Sequence, residues 1–115
     1  MAVVRKEDGG VVCERCLIAD SAWLRMRGLL GRASLAADEG ILLRPCSSVH
    51  MFFMRFAIDA VFLDRDLVVR KVVADLKPWR VAFGRGSKSV LELPAGEAGR
   101  RGIHPGDRLE LADGE

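Results

Sequence analysis

At 115 residues and 12.6 kDa, the chain has room for one domain built on one core. Half of its residues are hydrophobic and 30% are charged, which excludes a disordered chain. The 18 basic and 16 acidic residues leave a net charge of +2 with signs alternating along the sequence, so a nucleic-acid binder held mainly by electrostatics is disfavoured.

Residues 1 to 10 read as a loose N-terminal segment. Val11 to Ala19 alternates well enough for one strand, with Cys13 and Cys16 then pointing to opposite faces. Asp20 or Ser21 can cap a short helix over residues 21 to 31, whose apolar stripe is Trp23, Met26, Leu29 and Leu30. Arg25, Arg27 and Arg32 face outward and Gly31 ends it. After a polar loop, Ile41 to Leu43 is a short strand stopped before Pro45. Val49 to Phe53 and Phe56 to Leu63 follow as strands, the second apolar on both faces except at Asp59. Asp64-Arg65-Asp66 turns the chain into a strand from Val68 to Leu76, making a hairpin of residues 56 to 76. Pro78 to Lys88 reads as a connection, Val90 to Leu93 as a strand, and residues 95 to 101 as a helical turn. His104 to Asp107 then turns into a last strand from Arg108 to Leu111. Six or seven short strands with one proper helix predict a mainly β, single-domain antiparallel β-sandwich or partly closed barrel.

Four ordered segments carry a resemblance: Arg25-Met-Arg-Gly-Leu-Leu-Gly-Arg32, Cys46 through Asp64, Val90-Leu-Glu-Leu-Pro-Ala-Gly96, and Gly102 through Leu111. From about residue 11 to 112 the chain resembles the prokaryotic family called domain of unknown function 192. The resemblance implies a small, mostly β domain with no established biochemical activity. Members often carry a hydrophobic export segment ahead of the domain, and they usually have a glycine near the hairpin tip where this chain has Leu67. The absence of an apolar signal core before Glu7 and Asp8 and an odd count of three cysteines predict a cytoplasmic location. The longest uncharged stretch, Pro45 to Met54, is ten residues and predicts no membrane span.

Chemistry, where the sequence offers any, sits in residues 46 to 59. On a strand, Cys46, Ser48, His50, Phe52 and Met54 share one face. Cys13, Cys16, Cys46 and His50 are weak candidates for a metal set. Residues four apart on a strand lie about 13 Å apart, so buried thiols and a packed histidine are the preferred reading. Asp59 interrupts an apolar strand and needs a partner, either Arg55 or backbone amides. The functional alternative gathers Cys46, His50, Met54, Arg55 and Asp59 around a ligand pocket, where His50 moves protons and Arg55 binds an anionic group. A second candidate surface is the loop of residues 77 to 88, in which Lys77, Trp79, Arg80, Arg85 and Lys88 supply charges and a ring for an anionic partner. The leading expectation is a small ligand-binding or accessory module, with a metal protein or enzyme, and a nucleic-acid or protein interaction through residues 77 to 88, as alternatives. No motif names a cofactor, a partner or a catalytic residue.

Overall fold

A computed structural model of the chain describes residues 1–21, Leu24, Leu29 and residues 31–112. Its centre is a five-stranded sheet in the order β3-β4-β9-β6-β7, formed by β3 (Arg15–Ala19), β4 (Glu39–Leu43), β9 (Ser89–Pro94), β6 (Ile58–Leu63) and β7 (Val69–Leu76). Every residue of β6 is buried, as are Ser89 to Leu93 of β9, because this sheet is covered on both faces. That two-sided burial is why residues 58 to 63 read as an almost unbroken apolar run. Pairing is antiparallel except between β3 and β4, which run parallel.

A three-stranded antiparallel sheet covers one face, in the order β10 (Leu109–Ala112), β1 (Ala2–Arg5), β2 (Val11–Cys13). Between the two sheets Val3, Val12 and Leu109 pack with Leu42, Val61, Leu63, Leu91 and Leu93. The other face is covered by the small sheet of β5 (Ser48–His50) and β8 (Val81–Phe83). There Val49, Met51 and Ala82 pack with Ile41, Ile58, Ala60, Phe62 and Val90. Gly84 permits that layer to close, since a Cβ at this position would lie 2.3 Å from the Phe62 ring. One helical turn, α1 (Glu97–Arg100), follows β9. The sheets do not close into a barrel, so of the two predicted architectures the layered one is found.

Three expectations change. Residues 2 to 5 are not loose: β1 is the middle strand of its sheet, paired with β10 more than a hundred residues away, a partner that local sequence does not reveal. The single strand expected over residues 11 to 19 breaks at Glu14, so β2 joins one sheet and β3 the other. Arg101 holds that bend, donating to Glu14 Oε1 at 2.9 Å and to the Val11 carbonyl at 3.2 Å. The expected connection over residues 78 to 88 contains β8, whose partner β5 lies some thirty residues earlier.

The predicted helix over residues 21 to 31 falls largely outside the described residues, including Trp23, Met26, Leu30, Arg25 and Arg27. Within reach, Ser21 Oγ accepts the Leu24 amide at 3.1 Å, Leu29 is buried, and Gly31 has φ +85°. Among the described residues no helix is long and apolar enough to cross a membrane.

Candidate functional site

The β5–β8 layer positions the site. Val49 and Ala82 stand opposite each other and point into the core, so alternation turns Ser48, His50, Val81 and Phe83 outward. The strand ends at His50. Met51 turns inward, its amide bonding to the Arg80 carbonyl and its carbonyl accepting the Trp79 amide, both at 2.8 Å. This clamp leaves Phe52, Phe53 and Trp79 on the surface, 41%, 73% and 59% exposed.

The rings form a connected row. His50 and Phe52 have centroids 5.1 Å apart, Phe52 and Trp79 6.0 Å, and Phe53 and Trp79 4.9 Å. Val81 and Phe83 extend the exposed apolar surface along β8. Phe53 and Trp79 also sit at φ +65° and +71°, a region that bulky residues rarely enter. Backbone strain of this sort clusters at functional positions. Two strained, exposed aromatics in mutual contact are the most unusual local feature of the described residues.

The segment that carries Trp79 and Phe83 is strongly basic. Residues 70 to 88 carry six basic side chains and one acid, a net +5 in a chain of net +2, so the remaining residues sum to −3. Of the six, only Lys77 has an acidic partner among the described residues, Asp75 at 2.7 Å. Arg70 and Lys71 donate to the carbonyls of Arg85 and Phe83, bracing β7 against the β8 strand and the loop after it. Arg80, Arg85 and Lys88 are exposed.

The residues singled out in 46–59 do not converge. Asp59 is wholly buried and points to the face of the central sheet away from His50. Its Oδ1 accepts the Asp75 amide at 2.9 Å, and its Oδ2 accepts those of Gly96 at 3.0 Å and Ala98 at 2.9 Å. It therefore caps α1 from a neighbouring strand and holds Asp75 at φ +54°, and it is in no position to orient an imidazole. Arg55 is exposed and makes no ion pair among the described residues, so the expected Arg55–Asp59 pair is absent. Cys46 donates to the Ser48 carbonyl at 3.0 Å, and Met54 packs half-buried under the β5–β8 layer. His50, Phe52 and Phe53 form an open face instead of pocket walls.

Nor do the four candidate metal ligands meet. Cys13 and Cys16 lie in the core beneath β1, Cys46 packs against the opposite core, and His50 is on the surface. Among the described residues no three His, Cys, Asp or Glu side chains gather around a metal-sized space. A further buried carboxyl, Glu92, went unnoticed in sequence because it sits inside the strand pattern of Val90 to Leu93. Burial alone pushes it up to about 7. Phe52 and Phe53 were likewise missed as site residues. The available signal was their adjacency, since neighbouring side chains on a strand cannot both face one core.

Comparisons with known proteins place this architecture. A UPF0127 protein of Thermococcus sibiricus is 33% identical over 116 aligned residues, covering 94% of this chain and 73% of the relative. A UPF0127 protein of Pyrococcus furiosus is 42% identical over 65 residues, 56% of this chain and 55% of that one. Among solved structures, a protein of unknown function from Novosphingobium aromaticivorans superposes with a TM-score of 0.79 at 27% identity, over 96% of this chain and 82% of that one. A Sinorhizobium meliloti protein, provisionally described as a transcription regulator, superposes with a TM-score of 0.81 at 26% identity, over 95% and 89%. The profile of the domain of unknown function 192 family, described as Uncharacterized ACR, matches residues 3–111, and the chain belongs to that family.

Proposed function

We propose that this chain is a non-catalytic binding module that takes single-stranded nucleic acid on the face formed by His50, Phe52, Phe53, Trp79 and Phe83. The observation that carries the reading is the row of exposed rings, two of them on strained backbone, beside a segment of net charge +5. Aromatic faces stack bases without regard to sequence, at about 1–3 kcal/mol per base, while flanking cations follow the phosphates. The modest net charge of the whole chain is compatible with this, because residues 70 to 88 sum to +5 while the rest of the chain sums to −3. The provisional description of the Sinorhizobium relative as a transcription regulator points the same way. A non-catalytic role is supported by Asp59, whose carboxylate is occupied by three amides and so does not pair with His50. Three cysteines, an odd number for a disulfide framework, support a cytoplasmic setting.

The test is fluorescence anisotropy of a labelled single-stranded oligothymidylate, titrated with protein at about 50 and 200 mM salt. Binding is expected to weaken with salt. Phe53→Ala combined with Trp79→Ala should weaken it by about tenfold or more. Arg80→Ala with Arg85→Ala should flatten the salt slope by about 1.4, from two lost phosphate contacts. Unchanged anisotropy, binding insensitive to both double variants, or binding to anionic lipid vesicles in place of the oligonucleotide would overturn the proposal.

A further inference from the structure

At the end of the central sheet the register aligns a row of side chains. Ala19 pairs with Leu43, Leu43 with Val90 and Val90 with Phe62, and all four enter the core under the β5–β8 layer. One position further along stand Asp20, Arg44, Ser89 and Leu63, which alternation turns to the opposite face. Leu63 confirms the direction, since it packs in the core beneath the three-stranded sheet. Along this row runs a groove of about 460 Å³, the size of a site for one small molecule. Pro45 and Leu67 give it apolar walls, and the exposed Arg65 and Lys88 stand at its mouth. Asp64 fixes the hairpin tip beside it, its Oδ1 accepting the Asp66 amide at 2.8 Å and the Val68 amide at 3.0 Å.

Two polar groups of the groove have no protein partner. Ser89 is 3% exposed, yet its hydroxyl makes no hydrogen bond. Arg44, next to it in the register, is half-buried and makes no side-chain hydrogen bond or ion pair among the described residues, not even with its neighbour Asp20. A buried hydroxyl in a folded protein is nearly always paired, so an unpaired one beside a guanidinium and an open groove points to a missing acceptor. We propose that the groove binds a small organic carboxylate, its anion held between the Arg44 guanidinium and the Ser89 hydroxyl and its apolar body laid on Pro45 and Leu67. The planar guanidinium fork matches two carboxylate oxygens, and the hydroxyl donates to one of them. Three cations and two acids line the groove, a net charge of +1 that suits a monoanion. Asp20 and Asp64 repel the second charge of a phosphate. The row faces away from the β5–β8 layer, so this site is separate from the aromatic face.

The test is two-dimensional amide NMR of the isotope-labelled full chain, titrated in parallel with benzoate, with its uncharged analogue benzamide, and with inorganic phosphate. Benzoate at about millimolar concentration is expected to shift the amide signals of Arg44, Leu67 and Ser89 to saturation, with benzamide leaving them in place and phosphate binding more weakly. Arg44→Gln and Ser89→Ala should each weaken benzoate by about tenfold or more, from one lost hydrogen bond to a charged group. Absence of saturable shifts with benzoate, equal shifts with benzamide, tighter binding of phosphate, or shifts confined to Phe52, Phe53 and Trp79 overturns the proposal. All four of these results come from the unmodified chain, so they stand even where a variant fails to fold.

Discussion

On one face of the central sheet Asp59 accepts three backbone amides, whereas on the other Glu92, on the adjoining strand β9, has no hydrogen-bond partner among the described residues. Both side chains are buried, and both interrupt apolar strands. The first is a structural clamp: it joins β6, the end of β7 and the start of α1, fixing the helical turn on the paired strands. The second lies among Ile41, Ala60 and Val90 and carries only the cost of leaving water. A buried acid in a strand is thus no indicator of chemistry by itself. What matters is whether the fold brings donors to it.

Removing the clamp should have the largest effect. Asp59→Ala leaves three amides without an acceptor, and at about 1–3 kcal/mol each the expected loss is about 4 kcal/mol or more by urea unfolding. Asp59→Asn, which keeps one acceptor oxygen, should fall between. A loss under about 1 kcal/mol for the alanine variant would mean that water replaces the carboxylate and that the two faces are alike after all.

The contrast sharpens with pH. The folded protein holds the Glu92 carboxyl near 7, above its ordinary 4.5, so it favours the protonated form. The stability linked to this group is fully present below about pH 4.5 and is lost as pH rises through 7, a fall of about 3 kcal/mol. Glu92→Gln should abolish that slope and be the more stable protein at pH 8. Opposite behaviour belongs to Asp38, Glu39 and Glu97. Arg15, the Ala36 amide and Arg100 respectively are the chief causes holding these carboxyls below their ordinary values. Their contribution disappears only on acidification below the usual carboxylate range, so the window between pH 4.5 and 7 isolates Glu92. A flat unfolding profile across that window would show that Glu92 is solvated.

The smallest expected effect separates framework from surface. Phe53→Gly relieves a phenylalanine held at φ +65° and 73% exposed, so stability should rise by about 1 kcal/mol while oligonucleotide binding falls. A variant that is both less stable and equally tight in binding would make Phe53 a packing residue.

Much of the framework was legible in the sequence. The strands at residues 41–43, 58–63, 69–76, 90–93 and 109–111 follow from branched and aromatic runs between turn residues, and the turn at 97–100 follows from Pro94 and Gly102. Leu67 is instructive: it adopts φ +63° at the hairpin tip, where the resemblance implied a glycine, so the turn imposes a left-handed conformation on a residue that seldom adopts it. The errors share one origin. β1, β8 and the break at Glu14 all depend on partners far along the chain, and so does the true environment of Asp59, whose donors lie 16, 37 and 39 residues away.

Composition and local pattern by themselves determined a small, mainly β single domain, because strand periodicity and turn chemistry act over a few residues, and the resemblance of four ordered segments named its family. Only the tertiary structure decided which face each side chain serves. It buried Asp59 against amides, put Cys13 and Cys16 into the same core across a bend, and turned Phe52, Phe53 and Trp79 out to water. A register or a sheet assignment is a contest among distant partners, and shifting it by one residue exchanges core for surface.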